Sequence, residues 1–210
     1  MYQQAAESSL VRNALRKLTF AVLVPVWRVA RQGPRNTLIW AFVRLRLALT
    51  GVSTERYARI TPTLYVDGQI GREGWRRLQA AGVTAIVNMR REHDDRAAGI
   101  PVPPENYLHL PTEDDTPVSL EDLRRGADWI ADQIAQGGAV YVHCAAGSGR
   151  APSMGAAYLI AHMGMTTDQA LATIKARRPF IMPKPAQVER LREFEAWVRP
   201  ADRARENPAE

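Results

Sequence analysis

Between positions 143 and 150 the chain reads His143-Cys144-Ala145-Ala146-Gly147-Ser148-Gly149-Arg150, and Cys144 is the single cysteine among 210 residues. A thiolate is a strong nucleophile, and a guanidinium a few positions later is a planar fork that fits two oxygens of a phosphate. Every residue between the two is small, so the backbone can curl until its N–H groups face one centre and form a nest for an oxyanion. Ala145, Ala146, Gly147, Ser148, Gly149 and Arg150 are therefore the candidate phosphate-binding residues, and Cys144 is the candidate nucleophile. Ionising the thiol does little by itself. With a free pKa of about 8.5 a few per cent is already thiolate at neutral pH, so full ionisation gains roughly thirtyfold at most. The remaining acceleration has to come from holding phosphorus in line with sulfur and from matching the charge on its equatorial oxygens.

Such a loop works only if the chain delivers it to the right place. Ala139 to Val142 is a short apolar run of the kind found in a buried central strand, and a helical stretch begins at about Ala151. The loop thus sits at the carboxyl end of a strand and the N-terminus of a helix, where anions bind in open α/β sheets. Leu64 to Val66, Val83 to Met89 and Tyr107 to Leu110 read as further strands. Helices are expected over Glu73 to Ala81, Ser119 to Gln136, Thr167 to Arg177 and Ala186 to Val198. Ser119 with Asp122 forms a capping-box-like start, and Gly137-Gly138 a stop. Strands alternating with helices predict an α/β fold with a mainly parallel central sheet flanked by helices.

The charge is lopsided. The formal net charge is +6, yet eight of the 28 basic residues and none of the 22 acidic ones fall between Ser8 and Thr54. This predicts a basic apolar extension over residues 1–54, a nearly neutral domain over 55–199 and a disordered tail over 200–210. Leu10 to Leu18 has an amphipathic pattern, and Leu18 to Trp27 is apolar but shorter than the roughly 20 residues a spanning helix needs. Leu38 to Leu49 fits helix or strand. No small-residue cleavage site follows Trp27, which argues against an export signal. Two readings of residues 10–50 stand side by side: an arm lying at a membrane surface, or an extension packed on the domain's own surface. The expected location is cytoplasmic, peripheral at the inner face of the membrane on the first reading. Nucleic acid is not an expected partner, because the positive charge lies in an apolar arm with few polar base readers. One cysteine excludes an internal disulfide framework and a multi-cysteine zinc site. His93, His109 and His162 lack ligand spacing, so neither metal nor cofactor is expected.

His143, Cys144, Gly147 and Arg150 resemble the His-Cys-x-x-Gly-x-x-Arg signature of cysteine-dependent phosphatases, in the dual-specificity branch of the protein-tyrosine-phosphatase superfamily. The resemblance runs from about Arg59 to Trp197. It takes in Thr63-Leu64-Tyr65-Val66, the segment Gly82 to Asn88, and Arg178-Pro179 with Gln187. The domain also resembles the phosphatidylglycerophosphate phosphatase subgroup. What this implies is a two-step reaction through a phosphocysteine on Cys144, with His143 orienting the loop and an upstream aspartate protonating the departing oxygen. By resemblance the acid lies in Leu110-Pro111-Thr112-Glu113-Asp114-Asp115-Thr116-Pro117, where Asp114 matches best and Asp115 second. Ala151 departs from the family, which usually places a Ser or Thr hydroxyl there to help sulfur leave. The resemblance implies a phosphomonoester hydrolase, first of all a dual-specificity or tyrosine protein phosphatase acting on a phosphoprotein. The alternative is a membrane lipid phosphatase acting on a phospholipid of phosphatidylglycerophosphate or phosphoinositide type. Ala151 motivates a further alternative, a phosphate-binding module with weak turnover. The loop holds no lysine, which argues mildly against polyphosphorylated inositol head groups.

Overall fold

The computed structural model describes residues 24–51 and 54–199, so the expected amphipathic stretch Leu10 to Leu18 and the tail from Pro200 lie outside the described residues. Contacts divide the chain into two compact units, Met1–Val43 and Arg44–Glu210. The division falls nearer the N-terminus than the boundary expected at residue 54, because Leu47 is buried in the apolar core of the second unit.

Helix α1 (Val24–Thr50) settles the ambiguous Leu38 to Leu49 stretch as helix. It is broken at Gly33, whose φ of 82° lies in the region favoured by glycine, and Pro34 restarts it. In the first unit the Arg28 guanidinium lies over the Trp40 ring, 4.4 Å from its centroid. After a short helix α2 (Glu55–Ala58) the second unit runs through β1 (Leu64–Asp67), α3 (Arg72–Ala80), β2 (Ala85–Arg90) and β3 (Tyr107–Thr112). It continues with α4 (Leu120–Ala135), β4 (Val140–His143), α5 (Arg150–Met163), α6 (Thr167–Arg177) and α7 (Pro185–Val198). Ser119 caps α4 as its sequence indicates, its hydroxyl accepting from the Asp122 amide at 3.0 Å.

The strands form one sheet in the order β1-β4-β2-β3, with every pair parallel. All carboxyl ends therefore open at one edge, and β4, which leads into Cys144, is central. Side chains alternate between two cores as strand geometry requires. Leu64 and Val66, Val87 and Met89, and Val140 and Val142 face a core shared with α4, α5, α6 and α7. Tyr65, Ile86 and Tyr141 face a second core with Trp75 and Leu78 of α3 and with Leu47. The fully buried half of α5 is the reason its sequence is apolar almost all round: Met154, Leu159 and Ile160 are each at 0% exposure.

Leu159→Ala should cost about 2–5 kcal/mol in urea unfolding, whereas Met163→Ala, at the exposed end of the same helix, should stay within about 0.5 kcal/mol. Equal costs would contradict this assignment of the core.

Candidate active site

The register places His143 beside Asp67 of β1 and beside Asn88 of β2, so the loop after β4 emerges at the middle of the open edge. Cys144 is 3% exposed at the foot of this loop, and its Sγ accepts from the Gly147 amide at 3.2 Å. Helix α5 begins at Arg150, so its N-terminal dipole also faces the sulfur.

What the loop can bind follows from where its carbonyls go. A peptide plane that points its oxygen outward points the next N–H inward. Ala145 O accepts from the Gln69 amide at 3.3 Å and from Arg44 Nη1 at 3.0 Å. Arg178 takes the next two, with Nη2 donating to Ala146 O at 3.2 Å and Nε to Gly147 O at 2.7 Å. Ser148 O accepts from the Met182 amide at 2.8 Å. Gly147, at φ 62°, completes the curl, and a Cβ there would collide with the Asp67 carbonyl carbon. Among the described residues the amides of Ala145, Ala146 and Gly149 donate to no protein acceptor. Arg178 is itself held by Asp67, Nη2 to Oδ1 at 2.6 Å, both side chains being 1% exposed.

Arg150 closes the ring. Its Nη1 donates to Thr112 O at 2.8 Å and to Glu92 Oε2 at 3.0 Å, and its Nη2 donates to Glu92 Oε1 at 3.1 Å. Asp114 Oδ1 stands 3.0 Å from the same Nη2. Its Nε is buried without any partner, an orphaned donor that an anion in the loop would satisfy. Burial works against the Arg150 charge, but the Glu92 hydrogen bond and the charges of Cys144, Asp114 and Glu92 outweigh it and hold the guanidinium above its ordinary value. The same contact with Arg150, helped by Arg90 and opposed by burial, holds the Glu92 carboxyl down at about 2.

The two aspartates of the acidic segment part company. Asp114 turns to Arg150, whereas Asp115, at φ 60°, turns away to Lys184 Nζ at 3.1 Å. Gln187 ties the segment down by donating to Thr116 O at 2.9 Å. Behind Cys144, His143 Nε2 and Asp95 Oδ2 are 2.6 Å apart and fully buried. Burial pushes the Asp95 carboxyl up, but the His143 hydrogen bond and charge, with Gln69, win and leave it lowered. This pair fixes the ring that precedes Cys144. At position 151 the methyl group of alanine is fully buried, and the nearby Ser153 hydroxyl is committed to Gly149 O at 3.0 Å.

The structure thus brings together Cys144, the loop from Ala145 to Gly149, Arg150, Asp114 and His143. It adds Glu92, Asp95, Asp67, Gln69 and Arg44, which the sequence reading did not single out, and gives the already noted Arg178 a specific use. The readable signal for the first two was the charge-dense stretch Arg90 to Arg96 directly after a strand's carboxyl end.

Residues 64–196 match the dual specificity phosphatase catalytic domain. The chain belongs to that family. It is 30% identical over 145 residues to dual specificity protein phosphatase 14 of Mus musculus, covering 67% of this chain and 70% of the relative. It is 31% identical over 154 residues to the Homo sapiens phosphatidylglycerophosphatase and protein-tyrosine phosphatase 1, covering 68% of this chain and 74% of the relative. Among solved structures, PTPMT1 in complex with PI(5)P superposes with a TM-score of 0.61 at 25% identity, over 69% of this chain and 97% of that one. The parallel sheet flanked by helices is the fold of this family, and the chain is a cysteine-dependent phosphatase.

Glu92→Gln supplies a pH test. A carboxyl with an ordinary value of about 4.3 that folding lowers contributes stability above that value and loses it as pH falls toward the folded value. The folded value is about 2. The stability gap between the native chain and Glu92→Gln should therefore be present at neutral pH and narrow from about pH 5 toward pH 2. It should be small throughout, since the Glu92 side chain is 44% exposed. Urea unfolding across this range reads it, and a gap independent of pH would contradict it.

Proposed function

We propose that this phosphatase cleaves a phosphoprotein monoester with Cys144 as nucleophile, Arg150 and the loop amides as the oxyanion cradle, and Asp114 as general acid. The observation that carries the reading is the buried, partnerless Arg150 Nε together with the loop amides of Ala145, Ala146 and Gly149, which among the described residues have no protein acceptor. A bound phosphomonoester puts its oxygens on those donors and its phosphorus over Sγ. Sulfur attacks phosphorus, the ester oxygen departs as the P–O bond breaks, and the Asp114 carboxyl gives it a proton. Water then attacks the phosphocysteine, Asp114 takes a proton from it, the S–P bond breaks and inorganic phosphate leaves. Asp114 is preferred to Asp115 because it stands at the Arg150 fork while its neighbour is paired elsewhere.

A second reading, a lipid phosphomonoester presented at an anionic membrane, is favoured by one observation. Helix α1 leaves apolar pairs one turn apart in solvent: Leu38 at 70% and Phe42 at 56% in the first unit, Leu45 at 60% and Leu49 at 76% in the second. Basic residues, Arg35 and Arg46, accompany them. Such a helix suits the interface of an anionic bilayer. Among the described residues no helix is long and apolar enough to cross a membrane.

Cys144→Ser should abolish hydrolysis of an aryl phosphate, and Asp114→Asn should lower turnover roughly 10²- to 10⁴-fold while Asp115→Asn does not. Loss with Asp115→Asn alone would overturn the acid assignment. For the substrate, phosphopeptides are compared with vesicles carrying a lipid phosphomonoester. Phosphopeptide turnover unaffected by Leu45→Gln with Leu49→Gln supports the first reading. Vesicle turnover lost in that double variant, with aryl phosphate still cleaved, supports the second.

Ala151→Ser should restore a donor to the leaving sulfur. The native chain is expected to show a burst followed by slow turnover, and the variant a steady rate raised roughly tenfold, the worth of one hydrogen bond to a charged atom. Single-phase kinetics in both, at equal rates, would contradict it.

A further inference from the structure

Three of the four outward carbonyls of the loop are held from within the residues that match the family. Ala146 and Gly147 use Arg178, and Ser148 uses Met182. The fourth is different. Ala145 O, immediately after the nucleophile, accepts from Arg44 Nη1 at 3.0 Å, and Arg44 lies upstream of residue 64, where the family match begins. Among the described residues its only other protein donor is the Gln69 amide, at a longer 3.3 Å.

Arg44 does not reach the loop by chance of a loose side chain. It belongs to the second compact unit and sits one turn before Leu47, which is 8% exposed in the core with Ile70 and Trp75. Leu47 O accepts from the Gly51 amide at 2.8 Å, and Gly51 O in turn accepts from the Gly71 amide at 3.1 Å, so the helix end is fastened to the start of α3. Gly68 keeps the passage open, since a Cβ there would come within 3.0 Å of Ala145 O and 3.2 Å of Leu47 Cδ2. Burial pulls the Arg44 guanidinium below its ordinary value, and the charges of Asp67 and Cys144 pull the other way, which places the cation within electrostatic reach of the nucleophile.

We infer that Arg44 is a positioning residue for the phosphatase reaction, holding the Ala145 carbonyl outward so that the Ala146 amide faces the bound phosphate. A cation on the carbonyl oxygen also polarises the peptide and strengthens the N–H on its other side as a donor. In this chain a helix that precedes the family's catalytic domain supplies part of the oxyanion cradle. The expected extension, from residue 44 onward in the second unit, is then a component of the catalytic centre.

The inference rests on the phosphatase reading of the same loop, so its test separates the two. Affinity for inorganic phosphate is measured calorimetrically in the full-length Cys144→Ser chain, which removes turnover from the readout. The comparison is between Arg44 retained, Arg44→Lys and Arg44→Met, with Ala48→Ser as a control at an exposed position of the helix. Arg44→Met should weaken phosphate roughly tenfold, the worth of one charge-assisted hydrogen bond, and Arg44→Lys should recover most of it. Unfolding temperature should be unchanged in both, and Ala48→Ser should bind as the parent does. Unaltered phosphate affinity in Arg44→Met overturns the assignment. So does a loss that Arg44→Lys fails to rescue and that tracks a lower unfolding temperature, which marks a merely structural contact. If the parent with Arg44 intact binds no phosphate, the reading of the loop itself fails and takes this inference with it.

Discussion

A short loop can aim several amides at one point only if the oxygens of the same peptides are satisfied on the other side, and here that outer side is dominated by one buried ion pair. Asp67 at the end of β1 fixes Arg178, and Arg178 spends its remaining donors on Ala146 O, Gly147 O and Tyr57 O. Both members are out of water, so each depends on the other, and removing one partner of such a pair costs on the order of 3–5 kcal/mol. The cradle is therefore bought by the sheet edge rather than by the loop, whose small residues supply only the freedom to curl.

The same edge sets the charge balance. Arg150 would be an expensive buried cation alone, and Glu92 and Asp114 offset it from the solvent side while Thr112 O and Met89 O accept from the same fork. The carboxylates occupy Nη1 and Nη2, and Nε is left without a partner. An arriving dianion thus finds a preformed donor rather than one it must release from another partner, which is the arrangement electrostatic preorganisation requires.

Much of this was legible in the chain because it is local. Cys144, the small residues and Arg150 lie within one turn of loop and helix, and the strand before them has the apolar run of a central position. The preference for Asp114 over Asp115 rests, in the sequence, on family resemblance alone; in the structure Asp115 pairs with Lys184, far along the chain, and Asp114 with Arg150. A charge-dense stretch marked Glu92 and Asp95, but the contacts of these two, of Asp67 and of Arg44 were not legible because each acts at a distance: Asp95 meets His143 and Arg44 meets Ala145 only after parallel strand ends have been gathered at one edge. A buried Asp and a solvated one look alike in sequence. The Leu38 to Leu49 stretch was ambiguous because alternating Arg and apolar residues satisfy both periods, and the fold resolved it by burying Leu47 while leaving Leu45 and Leu49 exposed.

The central claim is that one oxyanion sits over Cys144 with the loop amides and the Arg150 Nε as its donors. A crystal structure of the full chain with orthovanadate tests it most directly. The account predicts vanadium bonded to the Cys144 sulfur, its equatorial oxygens within hydrogen-bond distance of the Ala146 and Gly149 amides, and one of them on Arg150 Nε. Vanadate bound elsewhere, or bound here with the loop carbonyls turned inward and Arg150 Nε still unpartnered, would contradict it.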